Sequence, residues 1–368
     1  MITEIEILKA LGTVQEPDLH KDLVTLGMVK DIMIDESHIS FTIILTTPAC
    51  PLKEKIRMDC VNAVQKIYPE ATVLVNFTSN TSSNRKDGKL MLPGVKNIIA
   101  IVSGKGGVGK STVASNLAIA LAQGNASVGL MDADIYGPSV PVMFGVRGER
   151  PMMRDVNGKN MIVPLEKFGI KLMSIGLLVD EKNAVVWRGP MASSAIRQFV
   201  TDVDWGELDY LVIDMPPGTG DIHLTLMQTV PVTGVIIVTT PQDVALADAK
   251  KGIAMFGQAQ INVPIIGLVE NMAWFIPPDD GMELPNNKYY IFGKDGGKKL
   301  AEEYDLEFLG QIPLVQSIRE GGDAGIPLMA AHDEIAKENF NEFASKAIRS
   351  IAVRNANIPF TELVEVVV

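Results

Sequence analysis

Ser103 to Thr112 read SGKGGVGKST: a glycine, four residues, then Gly-Lys-Ser. At that spacing Gly104, Gly106, Gly107 and Gly109 let the backbone turn so that successive N–H groups, Val108 among them, face the oxygens of a bound polyphosphate. Lys110 supplies a cation for the β- and γ-phosphates, and the Ser111 hydroxyl, next to Thr112, is a ligand for Mg2+. A second lysine, Lys105, follows the first glycine directly. Hydrolysis needs in addition a carboxylate for the metal and another to orient water. YLVIDMPPG puts Asp214 at the end of an apolar run, where it can hold magnesium, and Gly218, four residues on, offers an N–H to a γ-phosphate. LMDADIYGPS puts Asp132 and Asp134 after another run. Two residues apart in extended chain they face the same way, so one can hold the loop while the other positions water. The alternative for either is a solvated loop acid.

These groups need strands that end together. From about Val95 onward apolar runs alternate with helical segments: NIIAIVSG, SVGLMDAD, YLVIDMPP, GVIIVTTP, IIGLVENM and EFLGQIPL as strands, STVASNLAIALAQ and DVALADAKKGIAMFGQAQ as helices. Continuous apolar strands with helical crossovers predict an α/β domain with a mostly parallel sheet buried on both faces. Chemistry in such sheets gathers beyond the carboxyl ends of the strands. The phosphate loop fits, since it follows NIIAIV and opens a helix.

Residues 1–78 predict a small α+β domain instead. TEIEILKALG has helical spacing, ISFTIILTT and TVLVNF alternate as strands, and PLKEKIRMDCVNAVQKIY reads as a helix starting at Pro51. The polar run TSNTSSNRKDGK has no apolar periodicity and marks a linker, placed at 79–94, ahead of a nucleotide-binding domain at 95–368. No internal repeat is visible.

The bulk figures narrow the class. With 368 residues, 47% of them hydrophobic, the chain can bury a large core. A formal charge of −11 argues against broad binding to nucleic acid or to an anionic membrane. MITEIEILKA places acids where a secretory start needs cations. Apolar runs stay far below the roughly 20 residues that span a bilayer. Two cysteines give no disulfide framework, and the expectation is a cytoplasmic protein.

GKGGVGKST, DADIYGPSVP, WRGPM, DMPPGTGD and VENM, in that order, resemble the Mrp-type (ApbC-group) iron–sulfur carriers of the deviant Walker A ATPase family. The likeness runs from about Val95 to DAGIPL. It implies an ATPase working as a homodimer, with Lys105 reaching the nucleotide of the other subunit. A cation delivered in trans steadies charge on the transferring phosphoryl; help to phosphate within its own chain is the alternative. The resemblance also makes Lys105, Lys110 and Asp134 catalytic, gives Ser111, Asp134 and Asp214 to Mg2+, and lets Asn271 read the adenine edge, so that ATP is the nucleotide. Its implied cargo is an iron–sulfur cluster, its implied partners apo iron–sulfur proteins or assembly factors. One departure stands out: most such carriers have a Cys-x-x-Cys soon after ENM, and here ENMAWFIPPDDGMELPNNKYYIFGKDGG has no cysteine.

The front domain resembles the small iron–sulfur-assembly domain fused ahead of these ATPases, through TTPACPLKEKI. Cys50, preceding Pro51, is expected at a helix N-terminus, where a thiolate is favoured, with Lys53 and Lys55 nearby. The alternative is a small buried apolar cysteine. Cys60, mid-helix, reads as core. Ten helical residues separate the two by about 15 Å, too far for one small cluster. His20, His38, His223 and His332 show no ligand spacing, and His223 reads as a capping or packing residue. MAWFIPP reads as interface core or an apolar docking face. A positioning ATPase without metal cargo, or a regulatory nucleotide binder, are the rival readings. The acidic, apolar end FTELVEVVV is a poor match for anionic lipid.

Overall fold

Thr3 starts the first helix. Its hydroxyl oxygen accepts the Glu6 N–H while the Glu6 carboxylate accepts the Thr3 N–H, a reciprocal cap that satisfies two otherwise open donors. The computed structural model describes residues 2–81, 91–156, 158–179, 187–258, 261–275, 277, 288–331, 334–359 and 361. Most of the expected linker, Ile276 and Pro278 of MAWFIPP, His332 and nearly all of the C-terminal FTELVEVVV lie outside these residues. The described chain separates into two compact units, one holding residues 2–81 with 352–358, the other the remainder.

In the small unit, α1 (Glu4–Leu11) is followed by a short pair, β1 (Gln15–Glu16) and β2 (Lys21–Asp22), then β3 (Val29–Asp35) and β4 (His38–Leu45). Helix α2 (Lys53–Gln65) crosses over to β5 (Thr72–Ser79), which lies parallel to β4, while β3 lies antiparallel to β4 on its other side. Alternate β4 residues are buried, and Phe41 and Ile43 pack with Ile7, Leu11, Ile56, Cys60 and Val64 into one core. The helix begins at Lys53, later than Pro51, because the first helical hydrogen bond runs from Ile56 N–H to the Leu52 carbonyl and Pro51–Leu52 form a turn.

The large unit starts with β6 (Val95–Val102), α3 (Lys110–Gln123), β7 (Val128–Asp132) and the single turn α4 (Val140–Met143). A hairpin of β8 (Met153–Val156) and β9 (Lys159–Ile162) leads to β10 (Leu165–Lys167) and β11 (Ile170–Ser174). Then come α5 (Gly189–Thr201), β12 (Leu208–Asp214), α6 (Asp221–Thr229), β13 (Gly234–Thr239), α7 (Asp243–Phe256) and β14 (Ile265–Phe275). The chain closes with α8 (Gly296–Glu303), β15 (Phe308–Leu314), α9 (Gln316–Ala324) and α10 (Glu334–Asn357), whose residues from 352 on count with the small unit.

Eight of these strands form one sheet in the order β10-β11-β7-β12-β6-β13-β14-β15, parallel throughout except for the edge pair β10–β11. The expected α/β sheet is therefore present. Strands β7 and β13 are buried at every residue, and β6 and β12 at all but one, as continuous apolar runs require. β6 is flanked by β12 and β13: the chain passes from β6 through α3 to β7 on one side and later from β12 through α6 to β13 on the other, and a crevice at such a reversal lies at the strands' carboxyl ends. Among the described residues no helix is long and apolar enough to cross a membrane.

Candidate nucleotide-binding and hydrolysis site

The loop between β6 and α3 holds its shape through positions that exclude side chains. Gly107 and Gly109 sit at φ +80° and +83°, in the left-handed region. A Cβ on Gly109 would meet the Asn271 amide nitrogen, and one on Gly104 would meet the Asp248 carbonyl, both well inside contact distance. Gly109 is the residue before the first helical one, so the first-turn N–H groups of α3, at Lys110, Ser111 and Thr112, face the loop without intrahelical acceptors.

Lys110 is 6% exposed, and its ammonium is paired with Asp214 Oδ1. Asp214, fully buried at the end of β12, stands beside Asp132 at the end of β7 because parallel register pairs their Cα positions. Its second oxygen, Oδ2, has no hydrogen-bond partner among the described residues. Asp132 is not a solvated loop acid. It is buried, and it accepts from the Ser174 hydroxyl at 2.9 Å, the Asp134 N–H at 3.1 Å and the Val140 N–H at 3.3 Å. Burial, then the charge of Asp214, pushes its carboxyl upward, against donors that favour the anion. The bond from the Asp134 N–H closes a turn just beyond the end of β7. Asp132 ties the loop to β11 and to the start of α4. Asp134 is the half-buried member, raised by desolvation while Lys110 opposes the rise.

The other predicted groups surround this centre. Gly218, at φ +91°, donates its N–H to the Ser103 carbonyl at 2.8 Å. Asn271 is buried, and its amide donates to the Val108 carbonyl at 2.8 Å. A shift in the β14–β15 pairing after Asn271, with Met272 at φ +55°, accompanies that placement. Lys105 is exposed; its carbonyl accepts from the Ser103 hydroxyl at 3.0 Å, and its ammonium has no ion pair with a described residue. Gly106 lies opposite the Pro217 ring. Beside Gly109, Thr112 and Asn271 opens a cavity of 990 Å³ whose further wall includes Pro313, Leu314 and Arg319. The motifs did not single out that wall, since nothing local in QIPLVQSIRE bears on phosphate.

Cys50 belongs to the small unit, half-buried against its core, two residues ahead of the Leu52 cap rather than at the helix start. The Lys53 ammonium lies 5.2 Å from the centre of the Phe77 ring. Cys60 is core, as its spacing predicted, and burial pushes its thiol up to about 12. No group of three or more potential metal-binding side chains occurs among the described residues. His223 is 1% exposed on α6, with neither ring nitrogen hydrogen-bonded to a described residue.

Residues 94–348 match the model of the NUBPL iron-transfer P-loop NTPases, and residues 4–75 that of the iron–sulfur cluster assembly proteins. An iron–sulfur cluster carrier protein of Synechocystis sp. is 48% identical over 353 residues, covering 96% of each chain. One of Escherichia coli K12 is 44% identical over 325 residues, covering 88% of this chain and 85% of that one. A nucleotide-binding protein of Archaeoglobus fulgidus, solved in complex with ADP, is 38% identical with a TM-score of 0.54, covering 64% of this chain and 88% of its own.

Proposed function

The chain belongs to the family of NUBPL iron-transfer P-loop NTPases, and from that premise we propose that it is an ATP-driven iron–sulfur cluster carrier, cytoplasmic and working as a homodimer. The observation that carries the reading is the meeting of Lys110, Asp214 and Asp134 at the carboxyl ends of β6, β12 and β7, beside a loop built for phosphate. In this reading Lys110 exchanges Asp214 for the β- and γ-phosphates when ATP enters. Gly218 N–H leaves the Ser103 carbonyl for the γ-phosphate. Asp134 holds the attacking water, and Lys105, exposed and without an ion-pair partner among the described residues, serves the nucleotide of a second copy.

Mg2+ fits the residues present. Asp214 Oδ2 is a buried carboxyl oxygen with no hydrogen-bond partner among the described residues, and the Ser111 hydroxyl and Asp134 carboxylate would complete a hard-oxygen donor set. The ion, when bound, neutralises charge on the phosphate oxygens. Asn271 keeps its amide oxygen for the adenine edge while its nitrogen holds the loop.

Cargo is held differently from the family's usual pattern. Both cysteines fall in the small unit, and Cys60 stays protonated in its core, which leaves Cys50 as this chain's own sulfur donor. The remaining ligands come from a second copy or from the apo protein that receives the cluster. Anaerobic reconstitution with iron and sulfide tests this. Wild type is expected to gain the visible absorbance of a cluster, and C50S to lose it with ATP turnover unchanged. Absorbance in neither protein would leave an ATPase without this cargo.

A further inference from the structure

Gly189 opens α5 and Gly220 caps α6, and both line one cavity of 420 Å³. At the start of α5 only the Gly189 N–H is open, since Pro190 has none and the Met191 and Ala192 N–H groups donate to the Arg188 carbonyl; at the start of α6 the Asp221 and Ile222 N–H groups precede the first helical bond, and each helix start carries partial positive charge. His223 lines the same cavity, 1% exposed, with Nδ1 and Nε2 both unpartnered among the described residues. Backbone groups of Pro216 and Gly220 lie close enough to the ring to oppose the fall of its pKa, yet neither meets hydrogen-bond geometry with it. Burial, with the charge of Lys110 behind it, pushes the ring's pKa down to about 4, so at neutral pH it offers one N–H and one lone pair. A buried polar group left this way is unfavourable unless a ligand completes it. Asp134 borders the space as well.

We propose that this cavity is a product site, which holds the orthophosphate cleaved from ATP through the His223 N–H, the Gly189 N–H opening α5 and the N–H groups opening α6. In the reaction the water oxygen bonds to the γ-phosphorus, the bond to the β-bridging oxygen breaks, and the water's proton passes to solvent. ADP keeps the loop filled, so the freed phosphate needs another place. Hydrogen phosphate retains an O–H at neutral pH and donates it to the Asp134 carboxylate; sulfate has no proton to give, so the site selects phosphate. The inference rests on ATP cleavage at the loop and is independent of cluster carriage.

Full-length protein saturated with Mg·ADP is dialysed against labelled orthophosphate. Wild type is expected to bind it, H223L to bind it at least about tenfold more weakly, and H223Q, which keeps an N–H donor, to stay within about threefold of wild type. ADP affinity is the same in all three. Sulfate is expected to compete at least about tenfold more weakly than unlabelled phosphate. No phosphate bound by wild type, equal affinity in H223L, or equal competition by sulfate overturns the proposal. Should H223L fail to fold, the ring of His223 in isotope-labelled wild type decides: its resonances must move as phosphate saturates the ADP form, and an unmoved ring overturns it. In a single turnover, wild-type phosphate release lags cleavage and H223L shortens the lag. Release as fast as cleavage removes the role in product exit. A wild type that cleaves no ATP sinks the hydrolytic reading and leaves the dialysis to decide the site.

Discussion

His223 makes stability depend on acidity. Burial holds its ring near pKa 4 in the folded chain, against 6.5 for the free side chain. Below 6.5 the unfolded chain therefore binds a proton that the folded chain refuses. The stabilisation from keeping the ring neutral is complete above about pH 6.5 and is lost as pH falls towards 4, by at most ~3 kcal/mol. Other groups titrate in this window, so the difference between proteins is what isolates the ring. Urea unfolding of ligand-free wild type and H223Q at pH 7 and pH 4.5 is expected to show the steeper loss in wild type; parallel losses would mean that the ring protonates without penalty. Residues of this kind mark where sequence reading stops. SGKGGVGKST was legible because its donors, cation and hydroxyl are neighbours in the chain. The hold of Asp132 on Ser174 and Val140 was not, since it depends on which strands lie side by side. Nor does TGDIHLTL disclose that both nitrogens of its histidine lack hydrogen-bond partners among the described residues.

Elements were read where burial was uniform. Strands β6, β7, β12 and β13 are apolar along their length because both faces are covered, and their runs announced them. The hairpin β8–β9 and strand β3 escaped, since exposed or half-exposed strands carry mixed side chains and β3 is interrupted between Lys30 and Met33. The shift in β14 after Asn271 was invisible too, yet it lies where strand and phosphate loop join. Asn271 fills the space beside Gly109 and ties up the Val108 carbonyl. G109A must therefore place a Cβ at a left-handed residue, costing about 1–2 kcal/mol, and also displace that amide. N271A alone is expected to cost about 1 kcal/mol by freeing a buried carbonyl. In the double variant the displacement vanishes, so the two losses should fall short of additivity by about 1 kcal/mol or more. Strict additivity in denaturant unfolding would show that the strand does not brace the loop.

At the scale of the whole molecule, the proposed dimer makes a prediction that stoichiometry fixes. K110A lacks the loop lysine and K105A the lysine offered to a neighbour, so each alone is expected to be inactive. If Lys105 acts across the interface, a mixed dimer contains one complete site: the K105A protomer supplies an intact loop, and its K110A partner supplies Lys105. Random pairing of equal amounts makes half the dimers mixed, each with one of two sites working. Turnover should then recover to about a quarter of wild type. If Lys105 serves its own chain, no pairing contains a complete site and the mixture stays as dead as its components. The exposure of Lys105 favours the first outcome, because a side chain needed at the phosphates of its own loop gains nothing by standing in solvent, while one meant for a neighbour must. Such an arrangement confines hydrolysis to the paired state. It also gives the bond between Lys110 and Asp214 a purpose in the single chain, where it keeps a buried cation and a buried carboxylate satisfied until nucleotide and partner arrive.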